Sequence, residues 1–238
     1  MNRQPGRSIA LSLGRWLMCD LMRKSQQVPL VCAERQVNIS RVLEARSRCK
    51  QSVSWFAIFV MAFAVVSMKR PALWCSFISF PWPRLYEHSY NVASLAVERK
   101  FGDEEVVLFG QIWAPEGFSL AAIQAEILRL KTVPIDEDVN FRAQLRLARL
   151  PRLIRRLCWW LGFDVHGYWR MVQFGTFGIT GVANLGADLT HFLSPLTSTV
   201  SVSGIQADGR AKVRLMWDHS SLLAFYRQLF VDAIIPRT

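Results

Sequence analysis

FGTFGIT, Phe174 to Thr180, lies in a stretch that turns β-like and glycine-rich from Arg170 onward. Its glycines stand three apart, but the flanks are strand-like, so the spacing predicts tight packing or a bulge in a sheet rather than a phosphate-binding loop. Downstream, Thr197-Ser-Thr-Val-Ser-Val-Ser203 and Lys212-Val-Arg-Leu-Met-Trp217 read as two further strands of the same sheet, joined through a turn at Asp208-Gly209. From Ser221 to Ile235, Leu222, Tyr226, Leu229 and Ala233 fall on one helical face, which predicts a closing helix.

Working back, Tyr90 to Arg99 alternates apolar and polar residues, Gly102-Asp103 marks a turn, and Glu105 to Trp113 reads as the hairpin partner. Pro115, Glu116 and Gly117 break the chain before a helix from Ser119 to about Lys131, with Leu120, Ile123, Ile127 and Leu130 at helical spacing. Trp55 to Val66 is an uninterrupted apolar run, shorter than the ~20 residues that span hydrocarbon. Ser52 or Ser54 can cap its start, Lys69 and Arg70 suit its last turn and Pro71 stops it, so it reads as a buried helix apolar on all faces. Between Phe80 and Tyr86 two prolines predict a rigid aromatic loop. Nearer the start, Val28 to Ala33 reads as extended and Ile39 to Lys50 as helical. No internal repeat or Gly/Ser-rich linker interrupts the chain. Residues 27–238 therefore read as a single α+β domain, behind a basic lead-in over residues 1–26 that carries a capping helix from about Ile9 to Met22.

An apolar fraction of 51% with 15 Phe and 9 Trp excludes a disordered chain. Lys plus Arg number 29 against 18 acids, a net charge of +11, which favours an anionic partner such as a phosphorylated cofactor, nucleic acid or an acidic membrane surface. Arg15 interrupts the apolar stretch Ile9–Leu17 and removes the core a secretory signal needs. The 5 cysteines have no close pair and read as free thiols, so a reducing, cytoplasmic setting is expected. His88, His166, His191 and His219 lack metal-ligand spacing, and no metal is expected. No P-loop, dinucleotide fingerprint or Gly-x-Ser-x-Gly elbow is present. Residues 141–161 interleave Arg142, Arg146, Arg149, Arg152, Arg155 and Arg156 with Leu and Trp, broken at Pro151. A solvated helical face is the first reading and weak peripheral contact with an anionic membrane the second. Nucleic-acid binding comes last, since no recognition motif accompanies the charge.

His219 follows a strand, adjoins Asp218 and precedes the closing helix, so its ring can project from a sheet end into a cleft. Several landmarks join it in order. They are the apolar helix Ser54 to Met68 ending in Lys-Arg-Pro-Ala-Leu, Asn91-Val-Ala-Ser-Leu-Ala-Val97, Gly175 to Thr180, Leu193-Ser-Pro-Leu-Thr-Ser-Thr and Met216-Trp-Asp-His219. From about Val28 to Asp232 this pattern resembles the CoA-dependent acyltransferase superfamily, which includes chloramphenicol acetyltransferase and the catalytic domains of dihydrolipoamide acyltransferases. The resemblance implies a two-layer sandwich in which helices cover a mixed β-sheet. It also implies acyl transfer from an acyl-CoA to a hydroxyl, amine or thiol of a small acceptor, in a homotrimer whose pocket lies between subunits. His219 matches the histidine of the family's His-x-x-x-Asp-Gly motif, the general base, and Thr180 the hydroxyl that donates to the oxyanion. Leu223 and Ala224 stand where the family has Asp and Gly. That departure leaves an alternative, a degenerate member that binds CoA or serves as an oligomeric scaffold without turnover. With no lipoyl domain or long linker ahead of the catalytic region, a free-standing enzyme is expected rather than a complete dehydrogenase-complex subunit.

Overall fold

A computed structural model of the protein describes residues 6–49, 53–181, 191–206 and 208–221. In chain order the elements are α1 (Leu13–Ser25), β1 (Leu30–Asn38), α2 (Ser40–Ser47), α3 (Trp55–Met68), β2 (Cys75–Ile78), β3 (Arg84–Glu87), β4 (Val92–Phe101) and β5 (Glu104–Trp113). They continue as α4 (Leu120–Thr132), α5 (Val139–Arg149), α6 (Arg152–Trp160), α7 (Gly167–Phe174), β6 (Phe177–Gly181), β7 (Ser198–Val202) and β8 (Arg210–Asp218). One sheet runs β1-β8-β7-β6-β4-β5, and β2 and β3 form a separate hairpin. The pairs β4–β6 and β6–β7 are parallel and the rest antiparallel, so the sheet is mixed and the fold α+β, as expected.

The period of two in the strands divides this sheet into unlike faces. Leu95, Ile179, Val200 and Leu215 are level across four strands and belong to the hydrophobic core. Against them α3 sets Ala57, Val60 and Ala64, and α4 sets Ile123, Ile127 and Leu130. The rings of Phe63 and Phe177 meet at 4.8 Å. On the opposite face the level residues are mostly polar or small: Gln111, Ser94, Gly178 and Thr199 in one row, which ends in Met216 of β8 and Cys32 of β1, then Thr180, Ser201, Arg214 and Glu34 in the next. Arg214 and Glu34 close the second row with an ion pair at 2.7 Å. The open edge at β5 is occupied by Gln144 of α5. Its amide accepts from the Phe109 N–H at 2.9 Å and donates to the Phe109 carbonyl at 2.7 Å, satisfying backbone groups that would otherwise invite another strand.

Local signals set most boundaries. The hydroxyls of Ser54 and Ser119 accept from the N–H groups of Ala57 and Ala122, both at 3.2 Å, so Ser54 is the cap of α3. Ser52 lies outside the described residues. Gly102 turns the β4–β5 hairpin with φ of 62°, and Asp208-Gly209 leads into β8 with φ of 77° at Gly209. Gly175 ends α7 at φ of 84°, and a Cβ there would stand 2.9 Å from the Val92 carbonyl oxygen, so FGTFGIT is held by close packing. Of the closing helix expected from Ser221 to Ile235, everything beyond Ser221 lies outside the described residues.

Four expectations change. The stretch from Arg170 is not yet β-like, since α7 runs to Phe174 and the strand begins at Phe177. Arg170 and Met171 are buried helical positions, and Gly175 alone makes the corner. The aromatic segment at Phe80 is only in part a loop, because Arg84 to Glu87 pairs with β2. Extended chain begins at Leu30 and continues to Asn38, because pairing along all of β8 overrides the charges in Glu34-Arg35-Gln36. Finally, α3 is not buried all round: Ala57, Val60, Ala64 and Ser67 face inward while Val65 and Met68 are exposed. Composition cannot say how many neighbours a helix will have. Within residues 1–26, α1 places Leu17 and Leu21 in the same core cluster as the sheet.

Candidate active site

His219 stands one residue beyond β8, and the ladder to β1 carries it there. The Asp218 N–H donates to the Thr197 carbonyl and the His219 N–H to the Pro29 carbonyl, each at 2.9 Å. The next turn is organised by Asp218, which is buried. One of its oxygens accepts from the Ser220 N–H and the other from the Ser221 hydroxyl, both at 2.9 Å. Ser221 in turn accepts from the Phe77 N–H at 3.0 Å, tying this turn to the β2–β3 hairpin. Arg170 is buried nearby and donates to the Phe77 and Pro195 carbonyls at 3.0 and 2.7 Å. Burial pushes its guanidinium pKa down to about 10 against the opposing pull of Asp218 and Asp164. The strand end that carries His219 is therefore fixed by a buried carboxylate in the field of a buried cation.

A second cluster adjoins it, one that sequence reading missed. Ser76 bonds the Nε2 of His88 at 2.8 Å and the Thr197 hydroxyl at 3.0 Å, and Thr197 donates to the Cys75 carbonyl at 2.7 Å. With Thr197 spending its proton on Cys75, Ser76 donates to Thr197 and His88 donates from Nε2, leaving Nδ1 as a lone pair that no donor among the described residues meets. His88 is 3% exposed, its ring packs edge-on to Tyr86, and its pKa is lowered to about 4, first by burial and then by the charge of Arg170. The folded state thus keeps His88 neutral where the unfolded chain binds a proton. Stability is retained above the ordinary histidine pKa of about 6.5 and is lost as pH falls from there toward 4, on the order of 3 kcal/mol in all. Urea unfolding between pH 7 and 5 is expected to show a steep slope in the wild type and a shallower one in His88→Gln; equal slopes would remove His88 as the cause.

Thr180 lies elsewhere. It is half-buried on β6, level with Ser201 and Arg214, whereas Trp217, two residues before His219, is level with Ser198 and Phe177. Within one chain Thr180 and His219 are therefore five positions apart along the strands, roughly 16 Å at ~3.3 Å per residue. The two expected site residues are not brought together by a single chain. Beside Thr180 the hydroxyls of Thr199 and Ser201 are buried, without hydrogen-bond partners among the described residues, on the polar face of the sheet. Their signal in the sequence is the run of alternating hydroxyls from Thr197 to Ser203. Leu223 and Ala224 lie outside the described residues.

For a phosphorylated ligand the chain offers a basic cleft of about 520 Å³ between the tip of the β4–β5 hairpin and α5, where Lys100, Arg142, Arg146 and Arg149 face a lone carboxylate, Asp136. Among the described residues no group of three His, Cys, Asp or Glu side chains is placed to hold a metal ion, and no helix is long and apolar enough to cross a membrane.

No protein-family profile matches the sequence, and neither does any curated protein. Solved structures do. A probable dihydrolipoamide acetyltransferase from Listeria monocytogenes is 19% identical over 96% of this chain and 92% of its own, with a TM-score of 0.65. The dihydrolipoamide acetyltransferase of Azotobacter vinelandii, studied for a serine, a histidine and an asparagine in its catalytic mechanism, is 16% identical over 92% and 85% with a TM-score of 0.60. A truncated catalytic core of the 2-oxoacid dehydrogenase complex from Thermoplasma acidophilum is 17% identical over 90% and 89%, with a TM-score of 0.58. The mixed six-stranded sheet with its covering helices thus has the fold of these dihydrolipoamide acetyltransferase structures, the two-layer α+β fold expected from the sequence.

Proposed function

We propose that the protein transfers an acyl group from an acyl-CoA to a hydroxyl, amine or thiol of a small acceptor, at a site shared by two copies of a homotrimer. His219 of one copy is the general base and Thr180 of its neighbour the oxyanion donor. The observation that carries this reading is the placement of His219 at a braced strand end, in a fold whose Azotobacter neighbour has a histidine in its catalytic mechanism. The roughly 16 Å between Thr180 and His219 along one chain's strands supports the shared site. In the reaction the acceptor's proton passes to the imidazole as the heteroatom attacks the thioester carbonyl carbon. The carbonyl π electrons move onto oxygen, where the Thr180 hydroxyl donates a hydrogen bond to charge that exists only near the transition state. Collapse of the intermediate breaks the carbon–sulfur bond, and the departing CoA thiolate takes the proton from the imidazolium. The net charge of +11 and the basic cleft beside α5 supply cations for CoA phosphates.

Purified protein is expected to release free thiol from one or more of a panel of acyl-CoAs when simple acceptors are added, with His219→Ala about 10²- to 10⁴-fold slower. Unchanged turnover in that variant would end this mechanism. One observation favours a second reading. In the Azotobacter enzyme the named asparagine lies four residues beyond the named histidine, and here that position is Leu223. Thermal stabilisation by CoA with no thiol release from any acyl-CoA would favour a binding protein on a retired catalytic fold.

A further inference from the structure

The helix α6 is packed with the wrong side in by ordinary amphipathic logic. Its buried residues are Arg155 and Trp159, 4% and 5% exposed, whereas Leu153, Leu157 and Trp160 are exposed by 78%, 51% and 39%. Those three are spaced i, i+4 and i+7, which places them on one side of the helix. The rotation is held from within. Arg155 pairs with the buried Asp20, donates to the Ala148 and Leu150 carbonyls at 3.2 and 3.3 Å, and lies over the Trp16 ring at 4.7 Å.

The exposed stripe does not stop at α6. The Phe80 ring contacts Trp160 at 5.0 Å, and beyond it the tip of the β2–β3 hairpin exposes Trp82 and Leu85. Arg84 secures that tip by donating to the Phe80, Trp82 and Val165 carbonyls, which brings it beside the start of α7, where Tyr168 and Trp169 are also exposed. Along the flank of the stripe run Arg152, Arg156 and, from α1, Arg23, all exposed. They crowd one another: Arg152 first and then Arg23 push the Arg156 guanidinium below its usual pKa, and of the two carboxylates nearby Asp20 is engaged by Arg155 and Asp164 by Lys24.

We propose that this face is a docking surface for an anionic phospholipid bilayer, independent of the acyl-transfer reading. Aliphatic side chains and indole rings enter the headgroup–acyl boundary, the Tyr168 hydroxyl and the indole N–H groups stay wet, and the arginine flank meets the lipid phosphates. Charge selects this occupant. A protein partner would need acids against the arginine flank and a matching apolar surface at once, whereas an anionic bilayer presents both in layers. Lysine and arginine stems also reach along apolar surface while keeping their charge at the headgroups.

The test is co-sedimentation of the full chain with vesicles of phosphatidylcholine alone and of phosphatidylcholine with phosphatidylglycerol at roughly 7:3, at low and at ~0.5 M salt. Binding is expected only to the mixed vesicles and to fall with salt. Arg152→Glu/Arg156→Glu should weaken it by at least about tenfold, and Leu153→Ser/Leu157→Ser should weaken it comparably at constant charge, with unfolding midpoints unchanged. Three results would overturn the proposal. They are no sedimentation with the mixed vesicles at low salt, binding indifferent to either pair of substitutions, or a concentration-dependent self-association that Leu153→Ser/Leu157→Ser abolishes, which would give the face to a second copy of the chain.

Discussion

Two inactive proteins, His219→Ala and Thr180→Ala, are expected to make an active one when unfolded together and allowed to reassemble. Each alone lacks one half of every site: loss of the base costs about 10²- to 10⁴-fold and loss of the oxyanion donor about 10²- to 10³-fold in turnover. In a mixed assembly a site is intact when the Thr180→Ala copy supplies His219 and the His219→Ala copy supplies Thr180, about one site in four for an equal mixture by random pairing. Recovery of roughly a quarter of wild-type turnover therefore follows if the site lies between copies. The motivation is the register: Thr180 on β6 is level with Ser201 and Arg214, while His219 is beyond Trp217 at the far end of β8, two strands across the sheet. Mixed assemblies as inactive as the separate variants would sink the shared site, whether or not the enzyme is an acyltransferase.

Asp20→Ala carries the largest expected loss of stability. Removing that carboxylate leaves the Arg155 guanidinium buried at 4% exposure with two backbone carbonyls and a Trp16 ring as its remaining company. An uncompensated buried charge of this kind costs about 3–5 kcal/mol. For a chain of this length that lowers the thermal midpoint by roughly 6–20 °C. The double substitution Asp20→Leu/Arg155→Leu, which removes both charges, is expected to lose far less, because the desolvation of the pair disappears with its attraction. Denaturant unfolding of the three proteins gives the comparison. A loss below about 1 kcal/mol in Asp20→Ala would mean that water reaches Arg155 and that the pair does not fix the rotation of α6.

Those two results bear on different levels of legibility. The β4–β5 hairpin, the caps at Ser54 and Ser119, the break at Pro151 and the strands Phe177–Gly181, Ser198–Val202 and Arg210–Asp218 could be read in the chain because each rests on contacts or conformational preferences within a few residues. A glycine that must take positive φ or a serine that must cap a first turn announces itself locally. His219 was legible as a candidate for the same reason, since a strand, a turn and a histidine follow one another without a gap.

The features that were not legible all pair residues distant in sequence. Arg155 looked like one more solvated arginine until Asp20, 135 residues earlier, was found against it, and that pairing turns the apolar side of α6 outward. His88 carried no motif, and its neutral state comes first from burial and then from the charge of Arg170, which belongs to another element. An all-apolar helix gave no sign that Val65 and Met68 would be exposed, because burial is set by how the helix packs and not by its composition. Local chemistry thus assigned the elements and singled out His219, while Thr180 was named only through the family resemblance. The mixed sheet, by running β6 parallel to β7 and β8 back against β7, is what placed those two at opposite ends of strands separated by β7, since register is a property of paired chains and no single strand carries it.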